Sequence, residues 1–210
     1  MTDNLNLIFD FDGTLVDSYE NVILNFAVLA EKFKFRKITL QDIEGLKDLT
    51  SKELIKYLKI PLYKLPSVLR SAKEYMQHEI PTLTTFPDLP EVLNTLYQSD
   101  VTLSILTSNS LNNVTTWLAR NNMQHLFKFI HSDSSYFGKK YLLRKIITLN
   151  KLDPSKTYYV GDETRDVIAA RKCHIGSIAV LWGFNSEKIL SQYHPTHIAR
   201  TPKDLLSIEY

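Results

Sequence analysis

The chain opens on an unbroken apolar run. Leu7, Ile8 and Phe9 stand together, and Phe11 follows two places on. A short continuous run of this kind, closed by a turn residue, predicts a strand buried on both faces. After Leu15 the period changes. Val22, Ile23, Phe26, Leu29, Ala30 and Phe33 recur at three- and four-residue spacing, which predicts an amphipathic helix with Asp17-Ser18 as its cap. Residues 38–46, 51–58 and 65–80 repeat that period, and Pro61, Pro66 and Pro81 mark breaks between or after them. Residues 18–82 thus read as helices without a strand.

From Thr84 onward strands and helices alternate. Helices are predicted over 87–99, 111–120, 139–150 and 163–173. Strands are predicted over 101–106, 127–131, 157–160 and 177–181, with a turn at Asp153-Pro154. The tail from Ser186 holds one more helix, a short strand at 197–199 and a last turn at 202–206. No repeat or low-complexity segment interrupts the pattern. Alternation of this kind predicts an α/β fold: a doubly wound, Rossmann-like parallel sheet with helices on both faces. The helical stretch then becomes an inserted all-helical domain over 17–83. The α/β core is assembled from 1–16 and 84–210.

Composition narrows the picture without changing it. A chain of 210 residues with 44% hydrophobic content has enough apolar material for a packed core plus an insert. A net charge of +2 gives no reason to expect nucleic acid or an anionic membrane as partner. Cys173 is the single cysteine, so no intramolecular disulfide forms and a reducing compartment is expected. The first residues show no basic-then-apolar leader, and no apolar run is long enough to span a bilayer. A cytoplasmic location is the resulting expectation. Oligomeric state leaves no mark on the pattern.

Four separate stretches carry candidate chemistry, each at the end of a predicted strand or the start of a predicted helix. Asp10 and Asp12 end the first strand. Residues i and i+2 of an extended chain face one side, so both carboxylates can enter one pocket, and Gly13 lets the chain turn sharply behind them. Two such carboxylates repel unless a cation or a proton lies between them. Thr107-Ser108-Asn109 ends the second strand, where hydroxyls and free N–H groups at a helix start suit an anion. Gly138 with Lys139 or Lys140 opens a later helix. Gly161-Asp162-Glu163-Thr164-Arg165-Asp166 follows the 157–160 strand, with Asp162 and Asp166 on one face of the first helical turn. His194 and His197 lack zinc spacing and read as loop residues.

Asp10-Phe11-Asp12-Gly13-Thr14-Leu15 at the end of an N-terminal strand resembles the first motif of the haloacid-dehalogenase-like hydrolase superfamily. Gly161-Asp162 with Asp166 resembles its fourth motif. The Thr107 stretch and the Gly138-Lys139 pair occupy the places of the second and third. The helical insert looks like the family's helical cap, and the phosphoglycolate-phosphatase-like branch is the nearest in character.

The resemblance implies that Asp10 is a nucleophile and Asp12 a general acid and base. It implies that Asp162 binds a metal and that Lys139 rather than Lys140 is the motif lysine. An acid at position 12 also implies phosphoryl chemistry, since the family's dehalogenases lack one there. The expected reaction is hydrolysis of a small phosphorylated metabolite. Thr107, Ser108, Asn109 and Lys139 would hold the phosphate. The metal ligands would be Asp10, Asp162 and the main-chain carbonyl of Asp12, an all-oxygen set that fits Mg²⁺. Asp166 and Glu163 would support from behind, and Thr14 would steady the loop. A phosphomutase would share every core residue, and a silent binding module would keep only the fold. Arg36, Lys47 and Arg70 are candidate contacts to an anionic substrate, although a solvated surface role is the commoner fate of such residues.

Overall fold

A computed structural model describes residues 4–132 and 138–209. The leader reading above rests partly on residues 1–3, which lie outside that range. Six parallel strands form one sheet: β1 (Asn6–Phe9), β2 (Thr102–Thr107), β3 (Phe127–Ser132), β4 (Thr157–Gly161), β5 (Gly176–Val180) and β6 (His197–Ala199). Their order across the sheet is β3-β2-β1-β4-β5-β6. The chain therefore winds outward one way from β1 and then back the other way, the doubly wound arrangement that the alternation predicts. Phe9 pairs with Ile105 on one side and Val160 on the other, which places the residues after β1 and β4 side by side at the sheet's C-terminal edge.

Helices cover both faces. The main ones flanking the sheet are α5 (Leu89–Gln98), α6 (Leu111–Arg120), α7 (Lys139–Leu149) and α8 (Thr164–Lys172), with the short α9 (Glu187–Ser191) near the end. Successive residues of β1 alternate between two apolar layers, as strand geometry requires. Leu7 and Phe9 pack with Phe11, Trp117, Val160 and Val180. Ile8 packs with Leu106, Leu143, Ile146 and Tyr159 on the other side.

The stretch between β1 and α5 is helical: α1 (Tyr19–Phe33), α2 (Ile43–Leu46), α3 (Ser51–Tyr57) and α4 (Leu65–Glu79). It has an apolar cluster of its own around Leu29, Phe35, Leu58 and Val68. The chain leaves the sheet layer and returns at one place: Val16 bridges Thr85 antiparallel, and Asp17 N–H donates to Thr84 O at 3.0 Å. Among the described residues, no helix is long and apolar enough to cross a membrane.

Four local expectations change. The helix expected over 38–46 shrinks to Ile43–Leu46. Asp42 accepts hydrogen bonds from the Thr39 N–H and hydroxyl, both at 2.8 Å, and this closed turn competes with helix before residue 43. Ser18 stands at the N-cap of α1 but makes no side-chain cap bond, and its buried hydroxyl has no partner. Pro66 breaks nothing; it sits in the first turn of α4, where its missing N–H costs no helical bond. His197 reads both as a loop residue and as the start of a short strand at 197–199, and the strand is what forms: it opens β6 with its ring 5.8 Å from that of Tyr158.

Candidate active site

The strand ends bring the four stretches together. Asp10 is buried directly after β1. Its Oδ1 accepts the Phe11 N–H at 2.9 Å, and its Oδ2 accepts Lys139 Nζ at 2.6 Å. Gly13 then turns with φ of +76°, and a Cβ there would lie 2.3 Å from the Asp162 carboxylate. The tight turn therefore brings the main chain hard against Asp162. Thr14 Oγ1 donates to Asp162 Oδ1 at 2.7 Å, so the residue expected to steady the loop spans to the other strand end.

Lys139, at the start of α7, reaches both Asp10 and Asp166, each at 2.6 Å. Lys140 turns away and lies over the Tyr141 ring. Burial alone would strip the Lys139 proton, but Asp10 and Asp166 outweigh it and hold the ammonium well above its usual range. Asp166 Oδ2 accepts the Glu163 N–H at 3.0 Å, which caps α8. Glu163 points outward to Arg165 and to the Ser51 hydroxyl of α3, 2.9 Å away.

Asp12 stands apart from this cluster. Both of its oxygens accept from Asn109 Nδ2, at 3.2 and 3.1 Å. Burial, and then the charge of Asp10, push its carboxyl up to about 6 against the pull of Asn109. Asn109 is in turn fixed by Asn113 and by the Ser110 N–H, at 2.9 and 2.8 Å. Thr107 Oγ1 accepts the Asn109 N–H at 2.9 Å, and Ser108 faces an adjoining cavity of about 670 Å³ that Asp12 also borders.

Asp10, Asp162 and Asp166 each offer an oxygen, all within 4.8 Å of one another and all buried. Lys139 balances one of these three charges. Two negative charges remain in a site closed to water, which is the deficit that a divalent cation fills. Burial first, then Glu163, Asp166 and Asp10, drive the Asp162 carboxyl well above the carboxylate range while that charge is uncompensated. The donor set is oxygen throughout, as a hard cation requires. Both oxygens of each acid already accept a hydrogen bond, those of Asp10 from Phe11 N–H and Lys139, those of Asp162 from Thr14 and Phe184 N–H, and those of Asp166 from Lys139 and Glu163 N–H, so hydrogen bonding does not rank the three as ligands.

Several residues at the site escaped the sequence reading. Phe184 N–H donates to Asp162 Oδ2 at 2.8 Å, and Asn185 Oδ1 accepts the Thr164 N–H at 3.0 Å. Asn185 also reaches the Lys47 and Leu49 carbonyls at 3.3 and 3.0 Å, tying the helical insert to the site. A Gly-Phe-Asn-Ser run just past a strand end was the available signal, since turn residues at that edge line ligand crevices. A Cβ on Gly183 would lie 2.4 Å from Asp162 Cβ and from Gly13 O, neither of which can yield. Gly183→Ala is therefore expected to lower stability by about 1–3 kcal/mol in urea melts.

The candidate cationic contacts separate. Arg36 stacks on Tyr57 with 3.8 Å to the ring centroid, and pairs with Asp42 at 3.3 Å. Lys47 lies over Tyr19 and donates to Gly183 O at 3.3 Å. Of the three, only Arg70 borders the cavity.

A doubly wound sheet with paired aspartates after β1, a lysine at the start of α7 and acids after β4 defines an α/β protein with an acidic site at the C-terminal edge of its sheet. The family model for haloacid dehalogenase-like hydrolases matches residues 7–180. The chain belongs to that family. Among curated proteins, a phosphoglycolate phosphatase of Synechococcus elongatus is 32% identical over 200 residues, spanning 95% of this chain and 94% of that protein. The pyrophosphatase PpaX of Oceanobacillus iheyensis is 24% identical, spanning 96% and 95%. Among solved structures, a haloacid dehalogenase-like hydrolase from Streptococcus pneumoniae superposes with a TM-score of 0.82 at 23% identity, covering 99% of each chain.

Proposed function

We propose that this phosphatase is magnesium-dependent and hydrolyses a small phosphate monoester through an aspartyl-phosphate on Asp10. The observation that carries the reading is the buried group of Asp10, Asp162 and Asp166 around a single lysine. A phosphate dianion and a carboxylate nucleophile repel each other, so the site must supply positive charge. Lys139 supplies part of it. Mg²⁺ held by Asp10, Asp162 and the Asp12 carbonyl would neutralise the rest.

In the first step an Asp10 oxygen attacks phosphorus. The bond from phosphorus to the ester oxygen breaks, and that oxygen takes the Asp12 proton as the alcohol leaves. In the second step Asp12, now ionised, takes a proton from water. The water oxygen attacks phosphorus, the bond to Asp10 breaks, and inorganic phosphate is released. Thr107, the Ser108 N–H and Lys139 stabilise the equatorial oxygens throughout, with Asn109 holding Asp12 in place. Asp166 keeps Lys139 extended into the site. The helical insert serves as the cap, joined to the core through Asn185, Ser51 and Glu163.

Turnover of p-nitrophenyl phosphate is expected to vanish with EDTA and to return when Mg²⁺ is restored in excess. Activity that persists after chelation contradicts the reading. Asp12 must carry a proton for the first step, so phosphoryl transfer from an alkyl phosphate falls as pH rises through its midpoint. That midpoint lies at about 6 in the folded chain, where burial and the charge of Asp10 raise it; a cation beside Asp10 lowers it and a bound phosphate dianion raises it. Hydrolysis of the intermediate needs the anion and rises over the same range. Rapid-quench measurement of the two steps across pH 4–8 checks both limbs, roughly two units on either side of that midpoint.

A further inference from the structure

The cavity of about 670 Å³ beside Asp12, Ser108 and Asn109 is walled on its other side by α1, α3 and α4. Pockets of roughly 300–1,000 Å³ bury most of a drug-sized ligand. Phosphoglycolate is far smaller than that, and pyrophosphate contains no carbon at all. The wall facing the site is largely hydrocarbon. Val22, Ile23, Leu49 and Leu69 border the cavity, each half-buried. None of them packs into the four apolar clusters of the molecule. Their outer faces are therefore left for something that the fold itself does not provide.

The uncharged polar groups that α1 presents to the cavity are already engaged, as is Arg165 on the core side. Asn25 donates to Glu79 at 3.0 Å and Tyr19 to the Ile43 carbonyl at 3.1 Å. Arg165 pairs with Glu163. Arg70 and Lys73 border the cavity but are exposed, where an ion pair with a substrate carboxylate contributes little.

We propose that the substrate is a phosphate ester of an apolar alcohol, its carbon body lying against Val22, Ile23, Leu49 and Leu69 while the phosphate meets Asp10. The proposal rests on the phosphatase reading above and adds the class of leaving group. Each methylene buried against this wall is expected to raise kcat/KM about three- to fourfold.

The test measures kcat/KM for the full chain with Mg²⁺ on ethyl, butyl, hexyl and octyl phosphate, phosphoglycolate, pyrophosphate and p-nitrophenyl phosphate. The expected result is a rise along the alkyl series, with hexyl phosphate at least about tenfold above phosphoglycolate. Ile23→Gln should lower kcat/KM for hexyl phosphate about tenfold and for ethyl phosphate by a smaller factor, because the longer chain buries more carbon against that wall. Leu69→Gln is made in parallel, so a folding failure at one position leaves the other readable. A flat or falling alkyl series, or phosphoglycolate or pyrophosphate as the best substrate, overturns the apolar assignment while the phosphatase reading stands. Hydrolysis of nothing in the panel, p-nitrophenyl phosphate included, overturns both.

Discussion

Asp10→Asn is expected to abolish turnover of p-nitrophenyl phosphate, with a loss of at least about a thousandfold in kcat, while the protein stays folded. The amide is nearly isosteric with the carboxylate. It can still accept the Phe11 N–H, now at 2.9 Å. It is a very poor nucleophile, and it removes one of the charges that would hold the cation. Folding should survive for a further reason. Asp162 and Asp166 lie within 4.8 Å of Asp10, so removing a charge there relieves repulsion in the metal-free chain. The check is kcat beside circular dichroism on the same sample. Metal-dependent turnover that persists in the variant removes the assigned nucleophile.

Asp12→Asn is the second large effect, and it acts in two directions. Loss of the proton donor should lower kcat for an alkyl phosphate by about 10²–10⁴-fold. The loss should be smaller for p-nitrophenyl phosphate, whose leaving group needs less protonation. Stability should move the other way. The Asp12 carboxyl titrates near about 6 in the folded chain against 3.8 for the free group, so folding favours its protonated form. Well below pH 3.8 the group is neutral in both states and contributes nothing. As pH rises from there toward 6, ionisation in the folded chain becomes a cost, and above that range the cost is complete. A shift of that size corresponds to at most about 3 kcal/mol, and less here because part of the side chain reaches solvent. The variant should therefore melt higher than the parent at pH 8 without metal, and the two should converge near pH 3. A variant less stable at pH 8 would contradict the account of Asp12 as an acid that folding holds toward its protonated form.

What the chain revealed before folding was chemistry held within single strand ends. Asp10 and Asp12 are legible because an apolar run fixes the strand and its end fixes their direction. Asp162 and Asp166 are legible as candidates for the same reason, at the junction of β4 and α8, whereas the choice of Lys139 over Lys140 comes from the family resemblance alone. The sheet follows from the alternation of strands and helices. The pattern could not show contacts made across the fold. Phe184 and Asn185 matter because β5 lies beside β4 and carries their loop back to Asp162. Gly183 matters because it faces a carboxylate far away in the chain. Local side-chain chemistry also defeats periodicity. Thr39 and Asp42 close a turn inside a stretch whose apolar spacing reads as helix. Val22 and Ile23 fit the helical period as well as Leu29 does, yet Leu29 enters a core and they border a cavity. Spacing alone does not separate a face buried in a core from one that borders a cavity.

The Asn185, Ser186 and Lys47 contacts bear on how the insert is seated. Ser186 N–H donates to Lys47 O at 2.9 Å, and Asn185 reaches the carbonyls on either side of Asp48. These bonds fix the start of α3 over the acids that follow β4.

The most direct test asks where the phosphoryl group goes. The enzyme is mixed with substrate and Mg²⁺, quenched in acid within milliseconds, reduced with borohydride and digested for mass spectrometry. The account predicts that residue 10 alone is converted to homoserine, and that the conversion disappears when Mg²⁺ is omitted. Modification at any other residue, or substrate turnover with none at all, would contradict it.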